Sequence, residues 1–412
     1  MEFEVKHIEN LCKKITDGSH FSPENDTEGV FPMYSVKDME YNGFSLNGYK
    51  TIGKEVFEKL SKADCRPLQN DILIAKDGSY LKYVFKTKQD LDACILSSIA
   101  ILRPNVNVID PDYFVYILRT KSVKGAMANY VSGSALPRII LSDFKKMKVR
   151  IAKDQAVQRR IASILSAYDN LIENNNRRIH LLEQMAENLY KEWFVRFRFP
   201  GHEKAEFENG LPKGWKTIHI KDITSLKSGY AFKSEWFTDD GCCVAKIKDI
   251  GNTIMDTSDF SYVDKGNCLK AKKFILNEGD LTIALTGATI GKISIVPRYT
   301  NPIYTNQRLG KFFNGDKPIL KLPFLYCLFS QPKMTQMILN FSNSSSAQPN
   351  ISPEQIESIK FIGDLNLIKE FNIRTWSLYK HILNLYYKNV SLSRQRDLLL
   401  PRLMSGKLEV KV

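Results

Sequence analysis

Residues 154–199 read DQAVQRRIASILSAYDNLIENNNRRIHLLEQMAENLYKEWFVRFRF, and this stretch constrains the chain more than any other. Alternating steps of four and three place Ile161, Leu165, Tyr168, Ile172, Asn175, Ile179, Leu182, Ala186, Leu189 and Trp193 on one line. Nine of those ten are apolar, and no Pro or Gly interrupts them. The spacing predicts one long helix with a coiled-coil face. Asn175, the only polar member of the line, reads either as a buried amide that sets the register or as a surface residue on an ordinary core helix. If buried, it costs stability, so Asn175→Leu is expected to raise the melting temperature and to permit slippage.

A second such helix is predicted from residue 366 to about 400. Phe371, Leu378, Ile382, Leu385, Leu392, Leu399 and Leu403 form its seam, with Asn389 inside it. Trp376, Tyr379, Leu383, Tyr386 and Val390 widen the apolar face, which suggests a further protein partner. With a whole domain between the two helices, either relative direction is possible in principle. An antiparallel pair with pseudo-twofold symmetry is the arrangement expected.

What precedes each helix is similar. Val36-Lys-Asp-Met matches Ile247-Lys-Asp-Ile, and Asn70-Asp71-Ile-Leu-Ile-Ala matches Gly279-Asp280-Leu-Thr-Ile-Ala. Asp112-Tyr-Phe-Val-Tyr-Ile-Leu matches Leu322-Pro-Phe-Leu-Tyr-Cys-Leu, and Ser134-Ala-Leu-Pro-Arg-Ile matches Ser346-Ala-Gln-Pro-Asn-Ile. The offset stays near 210 residues throughout, as a duplicated domain requires. Short β-branched runs alternate with turn residues and one Pro-initiated helix at Pro111, so each copy is of mixed α/β class. Ser97 to Leu102 reads as a strand stopped by Arg103-Pro104, and Ile139 to Ile151 as a strand. The expected divisions are a first domain at 1–153, a long helix at 154–199, a second domain at 200–365, and a helix with a tail at 366–412.

The formal net charge is +14, and the excess basic residues are spread along the chain. Basic folded domains attract polyanions, above all nucleic acid, although charge alone leaves an anionic membrane or plain solubility open. Seven cysteines without a C-x-x-C pair fit reduced thiols and a cytoplasmic location. Apolar runs are too short to cross a bilayer, and no secretory signal is expected. The six histidines are scattered, so metal ligation is not expected. Gly287-Ala-Thr-Ile-Gly291-Lys292-Ile293 falls one residue short of a phosphate-binding loop and lacks its hydroxyl, so it reads as a turn between strands. No nucleophile elbow and no methyltransferase loop of the Asn/Asp-Pro-Pro-Tyr kind occurs.

Loops suited to nucleic acid do occur. Asn306, Gln307 and Arg308 place two amides and a guanidinium in succession, the groups that pair bidentately with adenine and guanine edges. Residues 132–138 and 344–350 are equivalent loops. Ser345 and its neighbours suit phosphate contacts, while Arg138, Gln348 and Asn350 suit bases. Lys76, Lys292 and Arg298 lie near strand ends. Each is equally readable as part of a polar turn.

The layout resembles the specificity subunit of type I restriction-modification systems. The resemblance rests on QRRIASILSAYDNLIENNNRRIHLLEQMAENLYKEWF at 158–194 and SRQRDLLLPRLMSGKLEV at 393–410. LPKGW at 211–215, GDLTIALTGATIGK at 279–292, YTNQ at 304–307 and SGSALPRI at 132–139 support it. The first copy lacks the LP-x-GW segment and carries KDGSYLK where the second has TGATIGK. The resemblance implies a non-catalytic chain with two DNA target recognition domains, each reading one half of a split duplex sequence across a helical spacer. It further implies docking of two modification subunits, which methylate adenine from S-adenosylmethionine, and of restriction (translocase) subunits. No cofactor is expected in this chain. A self-contained methyltransferase or nuclease, and a helical adaptor that does not bind DNA, are the alternatives.

Overall fold

The computed structural model describes residues 1–45, 48–78, 83–130, 138–251, 253–342 and 349–411. The chain divides into two compact units, Met1–Leu171 with Leu392–Val412, and Ile172–Ser391. Two long helices, the central helix Gln155–Tyr190 and the C-terminal helix Leu365–Ser405, supply a segment to each.

In the first unit, Ile72–Ala75 is buried on both faces in a four-stranded antiparallel sheet. The order is Cys12–Asp17, Ile99–Pro104, Ile72–Ala75, Val84–Lys86. A three-stranded sheet holds Phe31–Tyr34 between Lys50–Ile52 and Cys94–Ile95, with the last pair parallel. Phe3–His7 pairs antiparallel with Lys148–Ala152 and closes the domain on itself. The helix Pro111–Arg119 starts where the proline predicts, with the Asp110 carboxylate accepting the Tyr113 N–H at 2.9 Å. Gln158, fully buried, accepts the Asp110 N–H and donates to the Ala152 carbonyl, so the first turn of the central helix is fastened to the domain.

The second unit repeats this plan. Its four-stranded sheet runs Ser225–Ser228, Leu309–Phe313, Leu281–Ala284, Ile293–Ile295, the same order with the same antiparallel pairings. Cys242–Ala245 and Ile303–Thr305 form the parallel pair, and Lys216–His219 with Lys360–Gly363 forms the closing pair. In the first copy the closing strand is Phe3–His7. The LPKGW segment of the second precedes its closing strand, with Trp215 stacked on Phe199 and packed against Phe194 and Phe197.

Several local expectations are corrected. The first-copy strand is Ile99–Pro104 and runs through Arg103-Pro104. Pro104 lies beyond the last pairing with Ile72–Ala75, so its missing N–H costs no ladder bond on that side. Between Ile139 and the strand Lys148–Ala152 lies a helix, Leu141–Lys146. Asp143 in its first turn and Lys145-Lys146 in its last complement the helix dipole, and Phe144 anchors it in the core. The central helix ends in a wider π turn, Lys191–Val195, short of residue 199. That turn brings both Trp193 and Phe194 onto Phe371, at 5.6 and 5.4 Å between ring centroids. Part of the added apolar width of the C-terminal helix is spent inside the second unit, while Trp376 and Val390 remain exposed. Tyr379 and Leu383 are buried, and Tyr379 meets Tyr326 and Cys327 of the helix Leu322–Phe329.

Within each unit the two helices run antiparallel. In the first, Ile161 and Leu165 share a core with Leu399 and Leu403, and Asp169 pairs with Arg396. In the second, Asn175 meets Asn389 while Trp193 meets Phe371. Seam residues are therefore consumed within the chain. Ile161, Leu165, Trp193 and Leu385 are buried, and Leu182, Leu189, Leu378 and Leu399 pack onto the cores, while Ile172 is half-buried. None of the buried ones is available to dock a partner.

Asn175 is buried, and its Nδ2 donates to Asn389 Oδ1 at 2.8 Å, while Asn389 Nδ2 donates to Asn176 Oδ1 at 2.7 Å. This changes the expected effect of substitution. Asn175→Leu strands a buried carbonyl oxygen on Asn389, at a cost of roughly 1–3 kcal/mol. We expect the single variant to melt below the wild type and Asn175→Leu/Asn389→Leu to recover or exceed it, with weaker register control. Calorimetry of both variants checks this, and a stabilised single variant would show that the amide pair carries no weight.

Candidate nucleic-acid interface

In each copy three loops meet at the end of the four-stranded sheet, tied by the same backbone hydrogen bonds. In the second copy, Leu285 N–H donates to the Arg308 carbonyl, Ile351 N–H to the Leu285 carbonyl and Gly287 N–H to the Pro349 carbonyl. Thr286 bridges to Asn350. In the first copy, Lys76 N–H donates to the Ser98 carbonyl and Ile139 N–H to the Lys76 carbonyl, and Asp77 bridges to Arg138. The frame is thus repeated, and it matches Lys76-Asp77 with Leu285-Thr286, Ser98 with Arg308, and Arg138 with Asn350.

Two glycines let a further segment cross the same place. A Cβ on Gly18 would lie 2.1 Å from the Ile95 carbonyl oxygen, and one on Gly229 2.2 Å from that of Thr305. The residues that follow these glycines then form the parallel bridges Ser19–Leu96 and Tyr230–Asn306.

On this frame the second copy presents Gln307, Arg308, Lys292 and Asn350 as exposed side chains. Asn306 is half-buried, and its Oδ1 accepts the Arg308 N–H at 3.2 Å, so part of its amide is committed to shaping the turn. In the first copy Arg138 is exposed and ion-paired with Asp77 at 3.2 Å. Lys76 departs from its expected role. It is only 4 % exposed and lies between Asp17 at 3.4 Å and Asp77 at 3.5 Å, so its charge is answered inside the fold. Ser345 and Gln348 lie outside the described residues, as do residues 132–137.

Sequence reasoning did not single out a basic and aromatic group on the second copy. Lys233 and Lys270 flank Trp236 at 5.6 and 4.8 Å, and the Lys246 ammonium stands 3.6 Å over the Phe237 ring. Four lysines within KGNCLKAKKF at 265–274 were the available signal. Lys246 opens a turn closed by the buried Asp249, whose carboxylate accepts the Lys246 N–H at 2.7 Å. Asp38 closes the equivalent turn on Ser35 at 2.8 Å. No cluster suited to a metal ion occurs among the described residues.

The sequence profile described as "Type I restriction modification DNA specificity domain" matches residues 1–184 and 212–362. The chain belongs to that family. It is similar to the MjaVIII type I restriction enzyme specificity subunit of Methanocaldococcus jannaschii, with 26 % identity over 75 % of this chain and 70 % of that one. It is also similar to the HindI specificity subunit of Haemophilus influenzae, with 24 % identity over 79 % of this chain and 84 % of the other. Among solved structures, the S subunit of the M. genitalium type I restriction-modification system shares its fold, with a TM-score of 0.57 at 18 % identity over 98 % and 96 % of the two chains. As a member of this family the chain is a DNA-specificity component and not itself an enzyme.

Burial pushes the Asp249 carboxyl up to about 6, against the lowering effect of the Lys246 N–H and the Lys248 charge, with Asp256 and Asp259 adding to the rise. The folded value exceeds the ordinary 3.8, so the stability linked to this group is full at low pH and is lost as pH rises between about 4 and 6. Asp249→Asn keeps an acceptor for the turn without the buried charge. We expect it to raise the melting temperature at pH 7.5 by about 2–4 °C, the shift roughly 1 kcal/mol gives a domain of this size. The gain should shrink near pH 5, where the folded wild-type carboxyl is largely protonated, and vanish below about pH 4. An equal shift at both pH values would dissociate the effect from ionisation.

Proposed function

We propose that this chain is the subunit that selects the DNA sequence in a type I restriction-modification complex, reading a bipartite duplex target with one half-site per domain copy. In this reading, two modification subunits dock on the chain and methylate adenine from the S-adenosylmethionine they carry. Restriction subunits complete the assembly, which works in the cytoplasm. No helix among the described residues is long and apolar enough to cross a membrane, as a cytoplasmic component requires.

The observation that carries the proposal is the repeated loop frame with different side chains on it. One copy sets Gln307, Arg308 and Asn350 where the other sets Ser97, Ser98 and Arg138. A conserved backbone scaffold with exchanged donors and acceptors suits two readers of unlike base sequence. Spread basic charge supplies the non-specific attraction, and affinity then falls steeply with salt through counterion release. Two modest readers on one chain act at high effective concentration and together give a specific complex.

Methylation mapping with the chain and its modification subunits tests this. The wild type should mark adenines in one split sequence, and the chain alone should transfer no methyl group. Gln307→Ala and Arg308→Ala should relax one half-site only, by about 1–3 kcal/mol at the affected base pairs. Equal relaxation of both half-sites, or an unbroken target, would overturn the assignment.

A further inference from the structure

The first unit contains a cleft of about 1180 Å³ that the reading of DNA leaves unexplained. Its walls are the helix Lys121–Ala128, Arg150 on the closing strand, and the last turns of the C-terminal helix. Lys121, Lys124, Arg150, Arg394 and Arg402 line it, and among the described residues none of them is paired with a carboxylate. The one lining acid, Asp397, is held by Arg396 at 2.8 Å. Burial and the neighbouring Arg119 guanidinium hold the Lys124 ammonium below its usual value. Beneath the cations the floor is apolar, formed by Ile117, Val123, Leu400 and Met404, with Leu398 59 % exposed beside them.

The repeat makes this cleft unusual. The offset of about 210 residues carries Trp193 onto Leu403 and Ala186 onto Arg396, all buried. The same offset carries Gln184, Asn188 and Glu192 onto Arg394, Leu398 and Arg402. In the second unit those residues line a smaller hollow of about 450 Å³, where Glu192 is paired with Arg196 and Arg198. Arg394 and Arg402 are therefore not part of the duplicated plan. A partner that docks once on each copy would require the same chemistry twice.

We propose that the cleft receives an acidic, amphipathic helical segment of a partner protein, bound once per chain. A volume above the roughly 300–1,000 Å³ of small-ligand pockets fits a peptide better than a metabolite. An apolar floor under a charged rim is the form that takes an amphipathic helix, apolar face down and carboxylates outward. A nucleic-acid backbone would satisfy the cations and leave the floor uncovered. The inference rests on the reading that the chain works within an assembly.

The test uses the full chain and a fluorescent 14-residue synthetic helix with one leucine stripe and glutamates on the other faces, measured by anisotropy. The control peptide carries glutamine in place of every glutamate. The acidic peptide should bind saturably and the control at least about tenfold more weakly, as complementary rim charge requires. Arg394→Gln/Arg402→Glu gives the first copy the side chains of the second. Both positions are exposed, so the fold is retained, and acidic-peptide affinity should fall by a similar factor with duplex affinity unchanged. No saturable binding, equal binding of both peptides, or an unaffected variant would overturn the proposal. A variant that loses duplex affinity would also overturn it and assign the cleft to DNA. The peptide result is independent of sequence selection, so its failure leaves the half-site reading to be judged by methylation mapping.

Discussion

A buried carboxylate holds the first unit together. Asp169, 7 % exposed, accepts from Arg396 on the C-terminal helix, from Arg119 at 3.1 Å and from the Tyr116 hydroxyl at 2.7 Å. Both guanidinium groups also stack on Tyr41, at 4.1 and 4.7 Å from its ring centroid. One carboxylate thus ties two helices to the domain that begins the chain. Taking those charges out of water is expensive, and the arrangement survives because every oxygen of Asp169 is answered. Loss of either arginine would leave the carboxylate underpaired, a change that costs roughly 3–5 kcal/mol in comparable sites. The Asn175–Asn389 contact is the uncharged counterpart in the second unit. Apolar seams tolerate slippage by a heptad, and these polar pairs do not, so register is set by the few positions that pay a desolvation cost.

Fixed register matters because the candidate interface is far from self-supporting. Its loops are joined by backbone hydrogen bonds from strand ends to loop residues, and the strands in turn rest on cores that include helix residues such as Ile161 and Tyr379. Exposed side chains on a backbone frame can be exchanged without disturbing the core beneath them. The two copies illustrate this, since exposed Arg308 stands where Ser98 lies. A duplicated scaffold can thus carry divergent tips on one fold.

The architecture was legible in the sequence where periodicity is strict. A heptad line without Pro or Gly is satisfied only by a long helix, and four ordered matches at one offset only by duplication. The strand at Ile72–Ala75, the helix from Pro111 and the turn at Gly287 followed from equally local chemistry. Family membership followed from the same stretches.

Other features depended on neighbours that local sequence does not specify. Lys76 looks like a free basic residue until Asp17, 59 positions earlier, closes on it. The seam amide of Asn175 was visible, yet whether its substitution stabilises depends on Asn389, which lies beyond a whole domain in the chain. The apolar width of the C-terminal helix reads as one unfilled surface, yet Tyr326 and Cys327 cover Tyr379 while Trp376 and Val390 stay exposed. The basic cleft is built from four segments that are each unremarkable alone. Periodicity and turn chemistry act over a few residues, so the sequence by itself determined the elements, their duplication and the family. Burial, ion pairing and concavity arise between segments remote in the chain, and only the tertiary structure decided which charges are spent inside the fold and which face outward.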